Sequence, residues 1–150
     1  MATTITAQSL TITISEAINL NGQPINSENQ LVIPSITQID KRIVSIPFAS
    51  EVTVLNFGTA VAAGTVIRGN VKYIRLTNKD AVNYVRVRVT KTSGATFDVQ
   101  VNAGQSFIMS NASLSVSTTA GAFSAFVDAD SIICQANTAA VDIELFVASI

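Results

Sequence analysis

The chain has no histidine, no tryptophan and a single cysteine in 150 residues. Without histidine, the Ser-His-acid and Cys-His arrangements that activate a nucleophile are excluded. A zinc site draws on several imidazole or thiolate ligands, and Cys134 is the only residue of either kind. One cysteine permits no intrachain disulfide, and its flanks, SIICQA, mark Cys134 as a small buried hydrophobe rather than a reactive thiol. Neither GxxxxGK nor a GxGxxG following a strand occurs, so phosphate-cradling loops are absent from the sequence. The expectation is a protein that is not an enzyme and carries no cofactor and no metal.

Charge is scarce too. Asp, Glu, Lys and Arg make up 13% of the chain, about half the usual share of roughly 25%. Ser, Thr, Asn and Ala fill the gap. Short uncharged polar groups are cheap to bury against another protein, because no full charge has to leave water. Self-assembly is therefore expected. No apolar run approaches the length of a membrane span, and the first residues, MATTITAQ, lack the basic and apolar regions of a signal peptide. Asn111-Ala112-Ser113 matches a glycosylation acceptor, which without such a signal is a chance match.

What the chain has in abundance is period-two alternation. Val71–Thr77, Tyr84–Thr90 and the run from Ala95 to Val101 each alternate apolar and polar residues between Asn, Asp and Gly turn signals, the pattern of half-buried antiparallel strands. The first two flank the polar loop Asn78–Asn83 and read as a central hairpin. Val85, Val87 and Val89 share one face of their strand.

Before the hairpin, SLTITIS over residues 9–15 is an edge strand. Ala17–Leu20 is a short β-like run ended by Asn21-Gly22. Gln23–Gln30, with Pro24, reads as an exposed loop, and Leu31–Ile33 is a brief apolar piece. Within Ile36–Ile46 the phase slips near Lys41-Arg42, which predicts a bulge or a break. Glu51–Phe57 is a strand, and Gly58–Gly69 a loop leading into a short strand at Thr65–Ile67. Gln105–Met109, Ser113–Ser117, Ser131–Ala136 and Val141–Ala148 complete the set, with Phe123 and Phe126 anchoring a loop or short helix. Nine to eleven strands without helical crossovers predict an all-β fold, an antiparallel β-sandwich of jelly-roll type. Residues 1–8 are read as a possible flexible N-terminal arm and 9–150 as a single β-sandwich domain.

Charge is unevenly spread. Seven of the nine basic residues lie between Arg68 and Lys91, with Asp80 the one acid among them, whereas residues 98–150 carry five acids and no Lys or Arg. Tyr73, Arg75, Tyr84, Arg86 and Arg88 would form a mixed aromatic and arginine stripe if the two strands align. Arginines directly opposite one another repel, so either the register is offset or an acid sits between them, with Asp98 as the candidate. The stripe suits carboxylates of a neighbouring subunit, with Asp128, Asp130, Asp142 and Glu144 as candidate partners, and in a slightly acidic chain nucleic acid is not the expected ligand. The pairs Asp128/Asp130 and Asp142/Glu144 have the spacing of paired carboxylates but not the surroundings of a glycosidase or a calcium loop.

The run YIRLTNKDAVNYVRVRV at Tyr73–Val89, continued by DVQVNAGQSFIM at Asp98–Met109, resembles small structural proteins of tailed bacteriophages, especially marine and cyanobacterial ones. The shared unit is a strand, Asn-x-Asp, a second strand opening on Asn-Tyr-Val, and a glycine-turn strand; it covers about a fifth of the chain. The resemblance implies a β-sandwich virion subunit, assembled in the host cytoplasm, that is homo-oligomeric and in contact with major capsid or tail proteins. A capsid decoration or cement role is the leading expectation. The alternatives are a tail, neck or fibre component, or a carbohydrate- or receptor-binding module.

Overall fold

A computed structural model describes residues 4–60, 62–91, 94, 96–110 and 129–150. Three expectations, the strand at Ser113–Ser117, the anchors Phe123 and Phe126, and the glycosylation match at Asn111, lie outside the described residues.

Most of the described residues lie in eleven strands: β1 (Gln8–Leu20), β2 (Gln23–Ile36), β3 (Gln38–Ile46), β4 (Val52–Gly58), β5 (Thr65–Ile67), β6 (Val71–Asn78), β7 (Val85–Lys91), β8 (Thr96–Val101), β9 (Ser106–Ser110), β10 (Ala129–Ala136) and β11 (Val141–Ser149). A single 3₁₀ turn at Arg68–Asn70 is the only helical piece among the described residues. The fold is all-β, as expected.

Strands β3 to β11 form two sheets, one of order β5-β4-β10-β7-β8 and one of order β3-β11-β6-β9. Every pairing is antiparallel except the short β5, which runs parallel to β4. Leaving β5 aside, the sandwich strands pair in a nested order: β7 with β8, β6 with β9, β4 with β10, and β3 with β11.

The inward residues of the two sheets make one apolar core. Val85, Val87 and Val89 of β7 meet Ile74 and Leu76 of β6, Ile132 and Cys134 of β10, and Ile143, Leu145 and Val147 of β11. All ten are at most 4% exposed, so the predicted inward phase of the three valines holds. Cys134 is buried with them, and loss of water pushes its thiol up to about 12. It packs as the sequence indicated.

Two expectations are corrected here. β6 and β7 are not a hairpin: they belong to different sheets, and the Asn78–Asn83 loop carries the chain from one sheet to the other. Nor does β3 contain a slip, because it pairs with β11 without interruption from Gln38↔Ser149 to Ile46↔Val141. Its apolar residues instead divide between faces, with Ile39 and Ile43 exposed and Ile46 in the core. Arg42 lies on the inward side and donates from Nη2 to the Val54 carbonyl at 2.5 Å, which is how an arginine is accommodated at the margin of the sandwich. True irregularities occur in the β4–β10 pairing, where Val54 and Leu55 both reach the core, and at the start of β6, where Val71 does.

The first two strands join neither sheet. They form a separate ribbon pinned by the Asn21-Gly22 turn, where both residues have positive φ (52° and 81°), the type I′ geometry that fits the twist of paired strands. The loop expected over Gln23–Gln30 is therefore a strand. In a two-stranded ribbon both strands are edges, so Pro24 takes no ladder bond from a neighbour that needs it. At its base the ribbon lays Leu10, Ile12, Leu31, Ile33 and Ile36 over Tyr73, Phe146 and Ala148, on the outer face of the four-stranded sheet.

Candidate functional site: two arginine faces

Alternation places Tyr84, Arg86 and Arg88 on the outward side of the five-stranded sheet, because Val85, Val87 and Val89 point inward. The same rule places Tyr73 and Arg75 outward on β6, but that strand lies in the opposite sheet. The five residues therefore do not make one stripe: the thickness of the sandwich separates two of them from the other three.

On the five-stranded sheet, Asp98 of β8 stands directly across from Arg88. Arg88 donates from Nε and Nη2 to its two carboxylate oxygens at 2.8 and 2.9 Å, a two-pronged pairing. The acid expected between the arginines is there. A second acid that alternation did not flag, Glu51, accepts from Nη1 of Arg88 at 2.8 Å and from Arg86. Arg86 also donates to Gln135 Oε1 at 2.8 Å. Two guanidinium groups and two carboxylates make this patch locally neutral. Beside it, Phe48, Tyr84, Arg86, Asp98, Gln100 and Asn137 line an open recess of about 470 Å³.

On the four-stranded sheet, Arg75 donates to Glu144 Oε1 at 2.5 Å and to Thr77 Oγ1, and the Thr77 and Ser106 hydroxyls bond at 2.7 Å. Lys41 stands 3.7 Å from the same Glu144 carboxylate. Tyr73 is 6% exposed, covered by the ribbon and set edge-on to Phe146 at 5.7 Å between ring centroids. It is unavailable for stacking on a ligand. Of the acids read as partners in another subunit, Glu144 thus pairs with Arg75 within the chain. Asp130 lies 3.5 Å from Arg68, Asp142 is exposed on β11 with its backbone carbonyl accepting from Lys79, and Asp128 lies outside the described residues.

These pairs leave a trace in acid–base behaviour. The Asp98 carboxyl is held below its ordinary 3.8, first by the hydrogen bond from Arg88, and that of Glu144 below 4.5, first by the bond from Arg75. A carboxylate whose value is depressed on folding contributes stability that is present above its ordinary value and lost as the pH falls through the folded one. Arg88→Gln should therefore be less stable than the unaltered protein near neutral pH, and that gap should shrink as the solution approaches about pH 3. Urea titrations at the two pH values check this; a gap that stays constant would mean that the Arg88–Asp98 pair does not couple to folding.

Among the described residues no three His, Cys, Asp or Glu side chains come together in a way that would hold a metal ion, and no helix is long and apolar enough to cross a membrane. No family model, no curated protein and no solved structure matches the chain.

Proposed function

We propose that this chain is a non-enzymatic structural subunit of a tailed-bacteriophage particle, a decoration protein that binds the capsid surface and works as a homo-oligomer. The observation that carries the proposal is the nested pairing of eight sandwich strands, first with last through to the two in the middle. That order supports reading the sandwich as one long antiparallel hairpin rolled into two sheets in the manner of a jelly roll, an architecture used repeatedly for capsid and lectin domains. A weakly charged surface whose arginines are neutralised by their own chain supports it, since such a surface loses little on desolvation against a neighbour.

The test is binding to particles that lack the protein. Purified subunit mixed with such capsids should co-sediment to a saturating ratio and raise the temperature at which the capsids release their genome. Subunit left wholly in the supernatant would reject the decoration role, and binding confined to isolated tails would move the protein to the tail or neck.

A lectin-like reading rests on a different observation, the recess beside Tyr84 and Phe48. An aromatic edge next to Arg86, Asp98, Gln100 and Asn137 is the mixture that holds a sugar ring. On a glycan array, the decoration reading expects no binding above background. Binding to a defined glycan that Tyr84→Ala abolishes would favour a receptor-binding module instead.

A further inference from the structure

One side of the β1–β2 ribbon is apolar at its base and again near its tip, with a polar stretch between, and only the base is covered. Directly paired residues share a face, so Leu10↔Ile33, Ile12↔Leu31, Ile14↔Asn29, Glu16↔Ser27, Ile18↔Ile25 and Leu20↔Gln23 line one side. The opposite side is mostly polar, with Thr11, Thr13, Ser15, Asn19, Asn26, Glu28 and Gln30, but also holds Ala17, Pro24 and the exposed Val32. The apolar side is used at the base, where Leu10, Ile12, Leu31 and Ile33 rest on Tyr73, Phe146 and Ala148. Beyond that contact every residue from Thr13 to Gln30 is exposed. Ile14, Ile18, Leu20 and Ile25, on the side that docks at the base, are 48–55% exposed. At about 3.3 Å per residue the free part reaches roughly 25 Å past the body. A two-stranded ribbon is at best marginally stable in water without something to pack on.

The sheet beneath the base leaves apolar residues uncovered on its two edge strands, with the paired Arg75, Glu144 and Lys41 between them. Next to the covered Tyr73, Phe146 and Ala148, its outer face exposes Ile39 and Ile43 of β3 and Ile108 of β9, at 61, 67 and 44%. Lys41 projects between the two β3 isoleucines. Charge points the same way. The ribbon holds Glu16 and Glu28 and no basic residue, and all nine Lys and Arg lie at or beyond Lys41. Glu16 is the one charged residue on the ribbon's apolar side.

We infer that the ribbon is an assembly arm: its free apolar face lies across the uncovered half of the four-stranded sheet of a second copy of this chain. Ile14, Ile18, Leu20 and Ile25 meet the second copy's Ile39, Ile43 and Ile108, with Glu16 near Lys41. Each copy supplies one arm and one acceptor face. The contact extends onto a neighbour the packing that each ribbon base already makes on its own body. The inference rests on the homo-oligomer reading above and gives it a surface.

Two measurements on the full chain test it. In sedimentation at micromolar concentration, the unaltered protein should self-associate, and Ile14→Gln/Ile18→Gln/Ile25→Gln should associate at least roughly tenfold more weakly with an unchanged circular-dichroism melt, because all three positions are exposed. In a mixture of chains carrying Ile18→Cys with chains carrying Ile43→Cys, oxidation should yield the mixed disulfide between copies, the buried Cys134 staying out of the exchange. An unaltered protein that assembles while the triple variant assembles equally well overturns the arm and leaves the homo-oligomer standing. A strict monomer that still binds capsids overturns the arm and the homo-oligomer but not the decoration role. A strict monomer that binds no particle overturns all three.

Discussion

Replacing Val87 with Asp is expected to leave little folded protein. Val87 is fully buried near the middle of β7, with Cys134 opposite it on β10 and Val99 on β8. An aspartate there has neither a cation nor a hydrogen-bond donor within the apolar core, so the chain must bury an unpaired carboxylate or open the sheet. The cost should be about 4 kcal/mol or more, comparable to the whole stability of a domain that is typically about 5–15 kcal/mol. Val87→Ala, which leaves only a cavity, should lose roughly 2 kcal/mol. Urea denaturation followed by far-UV circular dichroism separates the two, and a V87D midpoint equal to that of the unaltered protein would mean that Val87 does not face the core.

The second large effect is expected at Asn78, the last residue of β6 and 1% exposed. Its amide nitrogen donates to the carbonyls of Asn83 at 2.8 Å and Val101 at 3.1 Å, and its Oδ1 accepts from the Asp80 backbone at 2.9 Å. Asp80 Oδ1 in turn accepts from the backbone of Val82 and Asn83, at 2.7 and 2.6 Å, and these bonds, with that of Asn83 first, hold its carboxyl below the ordinary value. One side chain therefore ties the loop between the sheets to the end of β8. Asn78→Ala leaves the Val101 carbonyl buried without this donor and should cost about 2–4 kcal/mol. Asn78→Asp keeps the acceptor but loses both donated bonds and should be no better. A denaturation midpoint for Asn78→Ala within error of the unaltered protein would show that the loop is held by its backbone alone.

Asn78 also shows where the sequence is legible and where it stops. Alternation reports which side of a strand is buried, and that reading survives at Val85–Val89 and at Ile143–Val147, while the short strand Thr65–Ile67 was legible from its β-branched residues. It carries no information about which strand lies alongside. Two alternating runs joined by a six-residue polar loop look alike whether they pair or cross to opposite sheets, and here they cross. The arginine stripe failed for the same reason: outward on β6 and outward on β7 are opposite directions in space. Arg88 and Asp98 were legible because β7 and β8, separated by only four residues of sequence, do pair. Glu51 was not, since its place beside the arginines depends on how the residues before β4 approach the sheet. Along β2 the polar sequence and two prolines concealed a strand whose partner, unlike those of the sandwich, asks for no buried face along most of its length.

The nested strand order also constrains the route by which the chain folds. Closing a loop costs entropy that grows with its length, and β3 and β11 lie at opposite ends of the sandwich sequence. If β7 and β8, four residues apart in sequence, pair first, β6 and β9 are brought close, then β4 and β10, and each later pairing closes only the segments left between ends already held. The β3–β11 pair comes last, and with it the acceptor face bearing Ile39 and Ile43. Such non-local pairing places folding toward the slow, millisecond-to-second end for small domains, whereas the β1–β2 ribbon, joined by two residues, can form on its own in microseconds. On a ribosome, a chain released before Val141 would carry a ribbon that can form but lacks the Phe146 and Ala148 surface that steadies its base. Pulse-labelled hydrogen exchange should find β7 and β8 amides protected before those of β3 and β11; simultaneous protection would mean that the sandwich closes in one step.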